Sequence, residues 1–297
     1  MPLSDFPTSP AAPNDTLRVL IVEDQWVVRA AIRSALERLD RPFIVIDAET
    51  GDEALSIMRH VQVSMIFCDI HLPGLSGPEA LAQAYAGKGS KPFMVLMSAR
   101  DSEVSREIGR RIGVYEFMPK PFQASNVLAA VHAHDRLTRL TRVLLVDDST
   151  TARRLMSRIL ARSQFLIEIV EAESGEQAVT LARQSRFDVV LLDLNMPGIN
   201  GVEAASQLLA ANSESQIAIV STEQQANMVR ISQFAGAFAY LKKPFDEKDV
   251  DAVLHKAFDM RHPTLARGTH AIFADGPEIV DEPVKAVDPA WKAAMAV

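Results

Sequence analysis

Aspartates, serines and lysines close short apolar runs in this chain, and they do so twice. Val189-Val190-Leu191-Leu192-Asp193-Leu194-Asn195-Met196-Pro197-Gly198 is an apolar run that stops at an aspartate and falls into a Pro-Gly turn. Met65-Ile66-Phe67-Cys68-Asp69-Ile70-His71-Leu72-Pro73-Gly74 has the same layout. Such runs read as strands buried on both faces, and open α/β sheets bind ligands at the carboxyl ends of such strands. An earlier run in each half ends in paired acids, Glu23-Asp24 and Asp147-Asp148. A fourth run ends in a hydroxyl, Ser98 or Ser221, and a fifth in Lys120-Pro121 or Lys243-Pro244. The acids of the first and third strands converge if those strands are neighbours. Crowded carboxylates are unfavourable unless protons or a cation intervene. Mg²⁺ fits such a site, because it prefers oxygen ligands in an octahedron and leaves positions for a phosphoryl oxygen. A lysine beside them neutralises developing negative charge. Helix capping accounts for the second acid of a pair, but not for repetition of the whole set.

The elements that must position these groups repeat as well. Asp24 and Asp148, Asp69 and Asp193, Pro73 and Pro197, and Gly77 and Gly201 are each 124 positions apart. Ser98 and Ser221, and Lys120 and Lys243, are 123 apart, so one residue is lost between the third and fourth strands. A period this long means two copies of a whole domain. In the first copy we read strands near 17–22, 43–47, 64–68, 93–97 and 114–118, with helices near 25–39, 52–60, 78–86, 102–112 and 124–138. In the second, strands fall near 142–147, 166–171, 187–192, 216–220 and 238–242, with helices near 149–162, 175–184, 202–210, 225–235 and 247–260. The alternation predicts an α/β fold: two doubly wound, five-stranded parallel sheets of flavodoxin-like type in tandem. The expected domains are 17–138 and 143–260, joined by a short linker at 139–142 that either stands alone or extends the preceding helix. Leu137 and Leu140 could line one face of such an extension. Residues 1–16 read as a flexible arm and 261–297 as a tail. In the tail, Asp288-Pro289-Ala290-Trp291 resembles the start of a capped helix, which either docks through Trp291 or frays.

Composition narrows the class. The 297 residues are 48% hydrophobic and 23% charged, which suits about two globular domains. A net charge of −7 argues against nucleic acid as the main partner. The single cysteine, Cys68, lies within an apolar run and reads as a core residue. No apolar run reaches membrane-spanning length and no signal-peptide pattern opens the chain, so a cytoplasmic location is expected.

On these residues both copies resemble receiver domains of bacterial two-component response regulators, across about 17–138 and 142–260. The resemblance implies that Asp69 and Asp193 accept a phosphoryl group from a phosphohistidine. Glu23, Asp24, Asp147 and Asp148 correspond to Mg²⁺-binding acids, joined by Asp69, Asp193 and the backbone carbonyls of His71 and Asn195. Lys120 and Lys243 would pair with phosphoryl oxygens, and Ser98 and Ser221 would swing to meet them. Phe117 and Tyr240 correspond to the aromatic switch residues. The implied partners are a sensor histidine kinase or phosphotransfer protein and a downstream protein target, with a homodimer possible. The chain would not be a stand-alone enzyme, and no output-domain signature follows residue 260.

Some positions depart from the family pattern. Glu23 stands where aspartate is commoner, and Ser98 and Ser221 where threonine is. Thr222 follows Ser221, in contrast to Ala99 after Ser98, and could narrow the phosphate entrance. Trp26 could crowd the first metal site or cover the first helix. His71 is either a solvated loop residue or a tuner of dephosphorylation, and His132 and His134 read as surface residues. A flavin-binding flavodoxin is disfavoured because acids occupy the loop that would hold its phosphate. An aspartate-based phosphohydrolase would need a second aspartate where His71 and Asn195 stand. The remaining alternative is an adaptor or phosphate sink in which one or both receivers are inactive.

Overall fold

The computed structural model of the chain describes residues 16–87, 91–100, 102–222, 235–261, 263 and 271–273. The chain divides into two units, with the main boundary between His134 and Asp135.

In the first unit β1 (Leu17–Val22), α1 (Trp26–Leu36), β2 (Phe43–Ala48), α2 (Gly51–His60), β3 (Met65–Asp69), α3 (Gly77–Tyr85), β4 (Phe93–Ser98), α4 (Glu103–Ile112), β5 (Glu116–Pro119) and α5 (Ala124–Thr138) follow in order. The strands pair in parallel in the order β2-β1-β3-β4-β5. Strand alternation sends successive side chains to opposite faces. Leu20, Val22, Ile66, Cys68, Met94 and Leu96 face one core, against Ala54, Leu55 and Met58 of α2 and Ala80, Leu81 and Ala84 of α3. Val19, Ile21, Met65, Phe67, Val95 and Met97 face the other, against Ile32 and Leu36 of α1 and Val127 and Val131 of α5. Burial on both faces is why β3 and β4 are apolar up to their final Asp69 and Ser98, and why β1 is apolar from Val19 onward.

The second unit runs β6 (Thr141–Val146), α6 (Thr150–Leu160), β7 (Ile167–Ala172), α7 (Gly175–Gln184), β8 (Val189–Asp193), α8 (Gly201–Ala211), β9 (Gln216–Ser221), β10 (Ala239–Lys242), α9 (Glu247–Ala257) and β11 (Ala271–Phe273). Its sheet order is β11-β10-β9-β8-β6-β7. All pairs are parallel except β10 with β11, which is antiparallel. The doubly wound fold expected from the sequence is present in both units, with element limits within a few residues of those expected. One correction concerns the tail. The regular pattern was expected to end near Met260, yet residues 271–273 add a sixth strand. Three residues are too short to show a period-2 pattern in sequence. The expected helices at 225–235 and 288–295, and Trp291, lie outside the described residues.

Helix α5 ends at Thr138 and β6 opens at Thr141, leaving Arg139 and Leu140 between them. Leu140 is exposed rather than lining a helix face. Helix starts follow local chemistry. Thr50, Ser174 and Asn200 accept hydrogen bonds from the backbone N–H groups of Glu53, Gln177 and Glu203. Gly74 and Gly198, with φ of 73° and 83°, take the left-handed position that the Pro-Gly turn after each third strand requires. No described helix is long and apolar enough to cross a membrane.

Candidate functional site

In each unit the first and third strands are adjacent, so the residues following them meet at the point where the strand order reverses. In the first unit Glu23 is fully buried, Asp69 is 6% exposed and Asp24 is exposed. Oxygens of Glu23, Asp24 and Asp69 all lie within 4.8 Å of one another. Lys120 arrives from the end of β5 with its Nζ 2.5 Å from Glu23 Oε2 and 3.0 Å from Asp69 Oδ2. Burial, seconded by the charge of Asp69, holds the Glu23 carboxyl above the usual carboxylate range, although the hydrogen bond from Lys120 opposes this. Burial alone would lower Lys120, but its hydrogen bonds to Glu23 and Asp69 and their charges leave it above an ordinary lysine.

The second unit repeats the arrangement more tightly. Lys243 Nζ lies 2.6 Å from Asp147 Oδ2 and 2.7 Å from Asp193 Oδ1, and all three side chains are buried. Burial raises Asp193, and the neighbouring Lys243 only partly reverses that. Lys243 is itself raised, because Asp193 and Asp147 outweigh its burial. The Asn195 N–H donates to Asp193 Oδ2 at 3.0 Å, and the Ser149 N–H donates to Asp147 Oδ1 at 2.9 Å. Asp148 is exposed. Among the described residues, a three-carboxylate cluster with oxygens within 4.8 Å forms in the first unit only.

Ser98 and Ser221 are buried at the ends of β4 and β9, and their carbonyls each accept the N–H of the following lysine, Lys120 or Lys243, at 2.7 Å. The Ser98 hydroxyl donates to the Arg100 carbonyl and accepts from the Arg100 N–H, both at 3.1 Å. It is thus turned into its own loop, not toward Asp69. Phe117 and Tyr240 are 2% and 1% exposed, both inside the core. His71 and Asn195 are exposed. Trp26, the first residue of α1, is 70% exposed. His134, expected at the surface, is half-buried with its ring edge-on to Phe93 at 5.9 Å, while His132 is exposed.

Two arginines escaped the sequence reading. Arg29 and Arg153 each donate to the carbonyls of both acids in the preceding pair. Their separation of 124, the same as that of the acids, was the signal that could have found them.

In the first unit the residues fit a hard divalent cation. Oxygen donors alone converge, and the buried Glu23 carboxyl is raised by burial and by Asp69, a burden that a cation would relieve.

Parallel doubly wound sheets, each with acids, a lysine and a buried hydroxyl at the carboxyl strand ends, define phosphoryl-accepting signalling domains. The family model described as response regulator receiver domain matches residues 19–132 and 143–255, and this chain belongs to that family. It carries two receiver domains of response regulators. Transcriptional regulatory protein ResD of Bacillus subtilis is 31% identical over 161 residues, covering 48% of this chain and 66% of ResD. Protein PilH of Pseudomonas aeruginosa is 39% identical over 121 residues, 39% of this chain and 98% of PilH. Nitrate/nitrite response regulator protein NarL of Escherichia coli is 32% identical over 115 residues, 39% of this chain and 53% of NarL. The chain therefore spans about two thirds of ResD and half of NarL. A solved structure of a two-component system response regulator/GGDEF domain protein superposes with a TM-score of 0.58 at 23% identity. That match covers 82% of this chain and 98% of the other, and it speaks to fold.

Proposed function

We propose that both receivers, spanning 17–138 and 143–260, take a phosphoryl group from a phosphohistidine onto Asp69 and Asp193. The observation that carries this reading is the twice-built lysine bridge: Lys120 joins Glu23 to Asp69, and Lys243 joins Asp147 to Asp193. A carboxylate oxygen of Asp69 or Asp193 attacks phosphorus, an O–P bond forms, and the P–N bond to the donor imidazole breaks. The electron pair returns to the imidazole, which takes a proton from solvent. Phosphoryl transfer asks for an in-line nucleophile and charge neutralisation, and little else. Lys120 and Lys243 are already within hydrogen-bond distance of the nucleophiles and can follow the new phosphoryl oxygens.

Mg²⁺ would be held by Glu23, Asp24, Asp69 and the His71 carbonyl in the first domain, and by Asp147, Asp148, Asp193 and the Asn195 carbonyl in the second. There it would supply neutralising charge to the phosphoryl oxygens. Ser98 and Ser221 turn from their resting positions to hydrogen-bond the phosphoryl group, and Phe117 and Tyr240 adjust with them. The added charge biases a surface that a second protein reads. The donor is a sensor histidine kinase or phosphotransfer protein in the cytoplasm. The chain acts as an acceptor and not as a stand-alone enzyme.

The test is phosphate uptake from acetyl phosphate or a phosphorylated kinase with Mg²⁺. Wild type should take up two phosphates, Asp69→Ala and Asp193→Ala one each, and the double variant none. Two phosphates on the Asp193→Ala variant would refute the assignment.

A further inference from the structure

Arg29 and Arg153 are the fourth residues of α1 and α6, and each reaches back to the acidic turn ahead of its helix. Arg29 Nη1 donates to the Glu23 carbonyl at 2.7 Å and to the Asp24 carbonyl at 3.1 Å, while Nη2 meets Glu49 Oε1 at 2.5 Å. Arg153 Nη1 donates to the Asp147 carbonyl at 2.8 Å and to the Asp148 carbonyl at 3.3 Å. Its Nε meets Glu171 Oε2 at 3.0 Å, and its Nη2 meets Thr150 Oγ1 at 3.4 Å. The two side chains are 14% and 10% exposed.

The carbonyls at this turn leave the sheet ladder and need partners. A guanidinium offers several N–H groups in a fixed plane, so one side chain can grip two adjacent carbonyls and an acid together. The acid that holds the far side of the fork differs between copies. Glu49 follows β2, whereas Glu171 lies within β7. The grip on the two carbonyls is the same in both. What stays constant is thus the hold on the acidic turn, not the ion pair behind it.

We propose that Arg29 and Arg153 are positioning residues that fix the backbone of the acidic turns, and so aim Glu23–Asp24 and Asp147–Asp148 at a divalent cation. The inference rests on the phosphoryl-acceptor reading. Groups that orient metal ligands from behind typically change metal affinity by about 10–100-fold when altered. A lysine at either position keeps the charge but offers a single point of contact in place of the fork.

The test uses the full chain carrying Asp69→Asn, so that only the second receiver takes up phosphate. Arg153→Lys is compared with Arg153 for Mg²⁺ binding by calorimetry, for the Mg²⁺ concentration giving half-maximal acetyl-phosphate labelling, and for circular dichroism. The expected result is Mg²⁺ binding weaker by about 10–100-fold. The half-saturating Mg²⁺ concentration should rise in parallel, with the labelling rate at saturating Mg²⁺ falling far less and the spectrum unchanged. Glu171→Gln keeps both carbonyl contacts and should shift Mg²⁺ binding by no more than roughly threefold, as fits a partly exposed ion pair. Unchanged Mg²⁺ affinity in Arg153→Lys, or an equal loss in Glu171→Gln, would overturn the inference. Arg29→Lys in an Asp193→Asn chain repeats the experiment in the first receiver. A parent Asp69→Asn chain that neither binds Mg²⁺ nor takes up phosphate would instead overturn the phosphoryl-acceptor reading itself.

Discussion

At the scale of single residues, one buried lysine holds two buried carboxylates together in the second receiver. Lys243 is the only cation contacting the buried pair Asp147 and Asp193 among the ion pairs of the described residues. Removing one partner from a buried charge set typically costs about 3–5 kcal/mol. Lys243→Met should therefore destabilise the second receiver by that order at pH 7. Burial already raises the Asp193 carboxyl, and without Lys243 it would rise further, so the folded state would bind more protons than the unfolded one and stability would fall as pH rises. Urea unfolding at pH 5 and pH 7 should show a smaller loss at pH 5. A loss independent of pH would deny that repulsion is its source. Asp251 makes a second, separable case. Burial pushes its carboxyl from 3.8 to about 6, although Ser163 and Gln164 donate hydrogen bonds to it, and Glu247 adds repulsion. Because the folded value lies above the unfolded one, the cost is absent below about pH 4 and fully present above about pH 6. Two pH units correspond to about 3 kcal/mol. Asp251→Asn should remove that slope between pH 4 and 6 from the stability profile, while leaving phosphate uptake intact. This network was not legible in the sequence, since Ser163 and Asp251 are 88 residues apart and nothing in either neighbourhood marks the other.

At the scale of elements, what was legible is what packing on both faces imposes. The runs before Asp69 and Asp193 are apolar throughout because α/β sheets bury both sides, and the two aspartates stand where those runs stop. The repeated glycines Gly77 and Gly201 were legible as a spacing, but their reason was not. A Cβ on Gly77 would lie 1.9 Å from the Asp69 carbonyl oxygen, and one on Gly201 would lie 2.4 Å from the Asp193 carbonyl oxygen. Helices α3 and α8 thus begin in close backbone approach to Asp69 and Asp193. Gly201→Ala must displace either the start of α8 or the end of β8. Overpacking of this kind costs about 1–3 kcal/mol. The displaced Asp193 should also accept phosphate more slowly at saturating Mg²⁺, with uptake on Asp69 unchanged. Equal slowing at both aspartates would deny that the contact acts locally. The inward seats of Phe117 and Tyr240 were likewise implied by resemblance alone, because an aromatic in an apolar strand looks the same whether it is core or switch.

At the scale of the molecule, the two units are built from one plan and finished differently. The first sheet ends at β5, whereas the second gains β11, paired antiparallel to β10 with Ala239 opposite Phe273, Tyr240 opposite Ile272 and Leu241 opposite Ala271. An open sheet edge presents unpaired N–H and C=O groups and invites pairing with another chain. A chain truncated after Arg261 loses that cover, while among the described residues the partners of Asp147, Asp193 and Lys243 all remain. Hydrogen exchange should then speed up at the β10 amides that do not bond β9, while amides of β5 in the first unit keep their rates. Each net hydrogen bond is worth on the order of 1 kcal/mol. The acceleration at those few amides should therefore be several-fold or more, without global unfolding. Phosphate uptake at Asp193 should persist in the truncated chain, since the lysine bridge that supports it is built from the residue after β6, the end of β8 and the residue after β10. Unaltered exchange along β10 would show that β11 does not protect the edge in solution.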